Sequence, residues 1–291
     1  MHVATLLTNP ETPNLESDLV ASLRNAWGGG EIRWLMPDVC AEFDMETQND
    51  TVATVWEDLQ SMSVDLCVQA AAGRKKQLLL ADMDSTMIQQ ECIDELANVA
   101  GIGEKVASIT ARAMNGEIAF EGALKERVAL LQGLDEGVIN TVLSNQISFM
   151  PGGKALVSTM RSQGAYAALV SGGFTHFTGP VAAQLGFDEH RSNRFDVVDG
   201  KLSGAVIPPI VGKEAKVEAL TDLCAKLQID AEDVLAVGDG ANDLGMLTKA
   251  GMGVALHAKP SVQKQAKYRI NHGDLTALLF LQGYSADEFV E

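Results

Sequence analysis

The chain has 291 residues, 46% of them hydrophobic, and 22 Lys and Arg against 39 Asp and Glu give it a net charge of -17. That length can bury a large core over two domains, while the acidic balance argues against nucleic acid and against an anionic membrane surface, so an anionic ligand must be captured by local groups. No run approaches the roughly 18 apolar residues of a membrane span, Met1 to Thr8 lacks the pattern of a signal peptide, and Cys40, Cys67, Cys92 and Cys224 form no Cys-x-x-Cys pair; the expectation is a cytoplasmic protein with reduced thiols.

Residues 1–72 read as a unit of their own. Strand periodicity covers Val3 to Leu7, Glu31 to Met36, Val39 to Asp44 (the weakest) and Val64 to Gln69, and helical periodicity covers Leu15 to Trp27 and Ala53 to Met62. The order βαββαβ is that of a ferredoxin-like α+β fold. Gly28-Gly29-Gly30 stops the first helix, and Ala70 to Lys76 reads as a linker. This unit holds no catalytic constellation, so its expected roles are pairing of two copies into a homodimer or sensing of a small ligand.

Residues 73–291 read as a second unit. The apolar run Leu78-Leu79-Leu80-Ala81 predicts a strand buried on both faces, ending in Asp82-Met83-Asp84-Ser85-Thr86. Open α/β sheets place their ligands at that end. Two carboxylates one residue apart repel unless a cation or a shared proton offsets them, so a divalent metal is the expected third member. Met87 and Ile93 stand where the glycine and glutamate of a calcium loop would be, which argues against that reading. From Ile88 to Leu143 apolar residues recur at helical spacing, as in Ile93, Leu96, Ala97 and Ala100, which predicts a helical cap insert over about 88–149 able to exclude water from the strand ends.

From Pro151 the pattern alternates: helix Lys154 to Gln163, strand Tyr166 to Val170 ending in Ser171-Gly172-Gly173, and helix Thr178 to Leu185. A hairpin follows about Asp199-Gly200, then helix Lys213 to Lys226, strand Val234 to Val237, helix Leu244 to Ala250, strand Gly253 to Leu256 and a last helix near Leu275 to Leu281. This succession predicts a Rossmann-like, doubly wound, largely parallel sheet.

Three strand ends thus carry polar loops: Asp82-x-Asp84, Ser171-Gly172-Gly173 and Gly238-Asp239-Gly240-Ala241-Asn242-Asp243. Glycines let backbone N–H groups approach an anion. Asp239 or Asp243 can complete a metal site with Asp82, an all-oxygen set that favours Mg²⁺ over zinc. With Lys216 as a fixed cation, these parts suit phosphoryl transfer. Rival readings lack their residues: there is no third glycine for a dinucleotide fingerprint, no Gly-x-x-x-x-Gly-Lys loop and no His-Glu-x-x-His.

Asp82-Met83-Asp84-Ser85-Thr86, Ser171-Gly172-Gly173, Lys216 and Gly238 to Asp243, in that order, resemble the four motifs of the haloacid-dehalogenase-like phosphatases over about residues 76–285. Within that family the resemblance narrows to the branch acting on O-phosphoserine that carries an extra N-terminal domain, here ACT-like. The resemblance implies that Asp82 is the nucleophile and Asp84 the acid and base, and that Mg²⁺ is held by Asp82, the Asp84 carbonyl and Asp239, with Asp243 in support. It also implies that Ser171, Gly172, Lys216 and Asn242 bind the phosphoryl group, that Glu91 and Arg127 hold the amino acid part of the substrate, and that Met114 and Phe120 form the apolar side of that pocket. A related enzyme acting on another small phosphorylated amine, such as phosphohomoserine, and a non-catalytic amino acid sensor are the alternatives; intact catalytic positions count against the sensor.

Overall fold

The side chains that build the first sheet alternate, and both of its faces are covered. In this computed structural model, which describes the chain except residues 115–116 and the side chain of Met114, the N-terminal unit comprises β1 (His2–Leu7), α1 (Ser17–Ala26), β2 (Ile32–Met36), β3 (Cys40–Met45), α2 (Val52–Gln60) and β4 (Asp65–Ala70). Its strands form an antiparallel sheet of order β2-β3-β1-β4. Period-two alternation sends Ala4, Leu6, Ala41, Phe43 and Leu66 into a core with Val20, Leu23 and Leu59 of the two helices. Leu7, Cys40 and Cys67 lie on the other face, in one core cluster with Ile270 and Leu278 from the end of the chain. The strand predicted as weakest, β3, pairs on both sides, because its polar residues Glu42 and Asp44 sit on a face that provides Arg33 and Arg74 as partners.

The second sheet is built on β5 (Leu78–Ala81). After it come α3 (Cys92–Val99), α4 (Gly103–Met114), α5 (Phe120–Ala129) and α6 (Gly137–Asn145), then α7 (Gly153–Ser162), β6 (Tyr166–Phe174), α8 (Thr175–Leu185), β7 (Glu189–Val198) and β8 (Lys201–Ile207). The chain closes with α9 (Lys213–Leu227), β9 (Val234–Gly238), α10 (Leu244–Lys249), β10 (Met252–Leu256), α11 (Pro260–Gln263), β11 (Tyr268–Ile270) and α12 (Ala277–Leu281). The sheet order is β11-β10-β9-β5-β6-β7-β8, parallel up to the β7–β8 hairpin. Asp199 and Gly200 both have positive φ at the hairpin tip, as a tight primed turn requires. β5 is buried on both faces: Leu78 and Leu80 pack with Leu220, Leu223 and Met246, and Leu79 and Ala81 with the opposite core.

Two details differ from the sequence reading. β6 runs through Ser171-Gly172-Gly173 to Phe174 instead of ending before them, because Phe174 pairs with Asn193 after a register shift and stacks on Phe195 at 3.6 Å. The short α11 and β11 have no counterpart in that reading, since three or four residues cannot display a period. The cap interval is helical as expected, and Ile88 pairs with Phe149 in an isolated bridge at its base. No helix of the described residues is long and apolar enough to cross a membrane.

Polar groups fasten the two sheets together. Glu42, 4% exposed, takes Arg74 at 2.6 Å and Arg33 at 3.0 Å, while Arg74 also donates to the carbonyls of Phe280 and Leu281. Breaking a buried pair strands a desolvated charge, so Glu42→Gln should lower the free energy of unfolding by about 3 kcal/mol. That is the low end for such a loss, because both arginines keep other acceptors. Urea denaturation measures it, and a loss below about 1 kcal/mol would mean the pair is worth no more than a surface one.

Candidate active site

Adjacent parallel strands bring the carboxyl ends of β5, β6, β9 and β10 to one rim. Asp82 continues the β5–β9 pairing through its N–H to Val237 O at 3.0 Å. Its Oδ1 accepts the Met83 N–H at 2.8 Å and the Lys216 ammonium at 2.7 Å. Lys216 projects from α9, is wholly buried, and reaches Asp243 Oδ1 at 2.6 Å as well. Burial alone would lower its pKa, but the two carboxylates outweigh that and raise it. Asp243 is fixed in turn by the Gly240 N–H at 2.9 Å. Gly238 must be bare, since a Cβ there would lie 2.4 Å from Asp243 Cγ.

Asp84 is held on the opposite side. Its Oδ1 accepts the N–H of Cys92, the first residue of α3, at 2.9 Å, and its Oδ2 accepts the Ser171 hydroxyl at 3.3 Å. The Gly173 N–H donates to Ser171 Oγ at 2.8 Å. Burial, then the charges of Glu91 and Asp82, push Asp84 up to about 7. Asp239 is pushed up to about 8, by burial and then by Asp82, Asp243 and Glu91. Oxygens of Asp82, Asp239 and Asp243 all lie within 4.8 Å of one another. Lys216 pairs with only two of these three buried carboxyls, a deficit that an oxygen-binding divalent cation would fill, so the residues fit such an ion. The Asp84 side chain is not among these three.

A cavity of about 410 Å³ opens above these groups, lined from the sheet by Asp82, Asp84, Ser171, Gly172, Asp239 and Asn242. Glu91, Phe120 and Arg127 line it from the cap. Phe120 lies so close over Gly172 that a Cβ on that glycine would come within 3.1 Å of the ring. Glu91 and Arg127 do not pair with each other. Glu91 accepts the Ser85 hydroxyl at 2.8 Å, and Arg127 makes only a 3.4 Å bond to Ala123 O in its own helix and, among the described residues, no ion pair. The Met114 side chain lies outside the described residues.

Sequence reasoning missed three residues here. Asp94 lines the cavity with a buried Oδ1 that has no hydrogen-bond partner among the described residues; its place in the acidic run Glu91-Cys92-Ile93-Asp94-Glu95 was the available signal. Lys259 lines it too, from a loop with no motif. Buried Asn193 donates to the carbonyls of Gly172 at 2.8 Å and Val211 at 3.2 Å and accepts the Val211 N–H at 2.7 Å, which ties the Ser171 loop to the segment entering α9.

The raised carboxyls make a testable stability profile. A carboxyl with a folded pKa of about 8, against 3.8 for the free group, binds its proton more tightly when folded. Its stabilising contribution is therefore full at low pH and is lost as pH rises through about 8. In metal-free buffer the melting temperature should rise as pH falls from about 8.5 to about 6. Differential scanning calorimetry checks the sign, and a melting temperature that falls over this window would mean the cluster does not carry these protons.

A sequence model of the haloacid dehalogenase-like hydrolases matches residues 79–248. A phosphoserine phosphatase of Haemophilus influenzae is 47% identical over 204 residues, 70% of this chain and 65% of that protein; the chain spans 55% to 61% of three further curated relatives. A solved HAD-family hydrolase from Salmonella enterica serovar Typhi superposes with a TM-score of 0.87 at 27% identity, covering 96% of this chain and 97% of that one. A substrate-bound phosphoserine phosphatase structure has a TM-score of 0.67 at 38% identity over 71% of this chain and 98% of its own. With the motif loops meeting at one rim, these likenesses establish that the chain belongs to the haloacid dehalogenase-like hydrolase family.

Proposed function

We propose that this protein is a Mg²⁺-dependent phosphatase that hydrolyses O-phospho-L-serine to L-serine and phosphate, the last step of serine formation. The observation that carries the reading is the pair Glu91 and Arg127. They are opposite charges that leave each other alone and line the same cavity as Asp82 and Asp84. Phosphoserine carries an ammonium, a carboxylate and a phosphate, and each needs a partner once water is excluded. Glu91 would take the ammonium and Arg127 the carboxylate through two parallel hydrogen bonds. Relatives named as phosphoserine phosphatases support the same substrate.

In this reading an Asp82 carboxylate oxygen attacks phosphorus, and the bond from phosphorus to the serine oxygen breaks, leaving an aspartyl-phosphate. Asp84, whose pKa of about 7 keeps a proton available near neutrality, gives that proton to the departing oxygen. It then takes one from the water that hydrolyses the intermediate. Lys216 spends two of its three N–H donors on Asp82 and Asp243, which leaves the third for a phosphoryl oxygen. The Ser171 hydroxyl, the Gly172 N–H and Asn242 would hold the remaining oxygens. The Asp82 and Asp239 carboxylates and the Asp84 carbonyl, with Asp243 in support, would hold Mg²⁺, which when bound offsets the charge of the phosphoryl group. The four free cysteines fit a reducing compartment, the cytoplasm. Pairing of two copies through the N-terminal unit would use the β2 edge, where Trp34 is 37% exposed, because both faces of that sheet are covered.

A panel of phosphate esters with Mg²⁺ tests the substrate, and phosphohomoserine belongs in it. EDTA should stop turnover, Mg²⁺ should restore it and Ca²⁺ should do so poorly; full restoration by zinc alone would make the metal assignment wrong. Asp82→Asn should abolish turnover with the fold intact, and substantial activity in that variant would exclude the covalent route. Arg127→Ala should lose roughly tenfold to a hundredfold in kcat/KM on phosphoserine. An aryl phosphate, having no carboxylate, should be spared. An equal fall on both substrates would assign Arg127 to the fold or the phosphate.

A further inference from the structure

One buried carboxylate of the N-terminal sheet grips the loop after β11, alongside Gln60 Oε1, which accepts the Asn271 side-chain amide at 2.7 Å. Asp65, at the start of β4, is wholly buried. Its Oδ1 accepts the N–H of Asn271 at 2.9 Å, and its Oδ2 accepts those of His272 and Gly273, each at 2.9 Å. These three residues follow β11 directly. A carboxylate spending itself on three consecutive backbone donors fixes the path of that loop.

The loop in turn holds the segment after β10. His257 donates its backbone N–H to Ile270 O at 2.8 Å, and its ring Nε2 lies 2.8 Å from Gly273 O. A carbonyl can only accept, so Nε2 carries the proton. His257 has φ +45°, a conformation that L residues resist and that persists when surrounding bonds impose it. Two residues later Lys259 sends its N–H to Asp239 O at 3.3 Å, and its side chain lines the catalytic cavity. Lys259 is exposed and its charge acts on Glu91, Asp94 and Asp239. Among the described residues lining this acidic cavity, it is the cation besides Arg127 that faces an incoming anion; Lys216 is buried beneath and bound to two carboxylates.

Hydrogen bonds and apolar packing both make this connection, since Leu7 and Cys67 share a core cluster with Ile270. A polar cavity of about 650 Å³ lies at the same junction, lined by Ser63, Asn14, His257 and His272 among others. The hydrogen bonds of Asp65 hold Asn271 and His272, which line it together with His257.

We propose that Asp65 is a positioning residue for phosphate capture: through the loop 271–273 and His257 it sets where Lys259 stands, so that the N-terminal unit contributes to substrate affinity without touching substrate. The ester arm of the test rests on the phosphatase reading; the phosphate-binding arm does not. Asp65→Asn keeps the shape but turns two N–H donors toward Asn271, so that side of the clamp opens. His257→Asn tolerates the left-handed backbone and is too short to reach Gly273 O; His257 is exposed, so this variant tests the link even if the Asp65 variant fails to fold.

The full-length protein with Mg²⁺ is titrated with inorganic phosphate by calorimetry, and KM and kcat are measured on the best ester of the panel. Lys259→Met should weaken phosphate binding roughly fivefold, as expected for one partly screened charge, and flatten the dependence of kcat/KM on ionic strength. Asp65→Asn and His257→Asn should each weaken phosphate binding and raise KM in the same direction while kcat stays near wild type. In the Lys259→Met background they should add nothing. Unchanged phosphate affinity in both single variants, or a further loss on top of Lys259→Met, overturns the proposal. If no ester is hydrolysed the phosphatase reading fails, while the phosphate affinities still decide this one.

Discussion

The structure depends on the buried ammonium of Lys216 lying between the carboxylates of Asp82 and Asp243. Removing three charged groups from water is costly unless each finds a partner, and an unpaired carboxylate at this depth would take up a proton instead. The lysine gives Asp82 a charged partner at a depth where water is largely excluded. The requirement then spreads outward. α9 must start where Lys216 can reach β5, Gly238 must lack a Cβ so that Asp243 can fold back, and Asn193 must tie the Ser171 loop to the entry of α9.

The two carboxylates of the first motif are separated by environment rather than by distance along the chain. Asp82 is compensated by Lys216, while Asp84 is surrounded by Glu91 and Asp82 and lies against the cap, where burial raises it. Two carboxyls in such different surroundings are what a division of labour in the proposed reaction requires. The cap completes the division. It brings Glu91 and Phe120 over the strand ends and leaves Arg127 without an ion pair among the described residues.

The N-terminal sheet buries polar residues on the face that a free-standing ferredoxin-like unit would show to water. Glu42, Asp65 and Gln69 all sit there, and each is satisfied from the other unit, by Arg74, by the loop 271–273 and by the carbonyl of Leu281. Such bonds set orientation more sharply than apolar contact does, since a small slide would leave a buried group unpaired.

Local chemistry was enough to read most of this from the residues. A run of four apolar residues before Asp82, glycines beside polar groups at three strand ends and period-two stripes in the first 72 residues are short-range signals, and they were sufficient for the α/β class, the ferredoxin-like pattern and the loops that carry the site. What they could not supply was anything that depends on separation in sequence. Lys259 and Asn193 carry no motif, β11 is too short to show a period, and the polar face of the first sheet looks solvent-exposed until its partner more than 200 residues away is in place. The sequence by itself determined which groups stand at the strand ends, because strand period and turn chemistry are local. Only the tertiary structure decided which of them meet, because burial, charge compensation and the raised carboxyls arise when distant segments shut out water together.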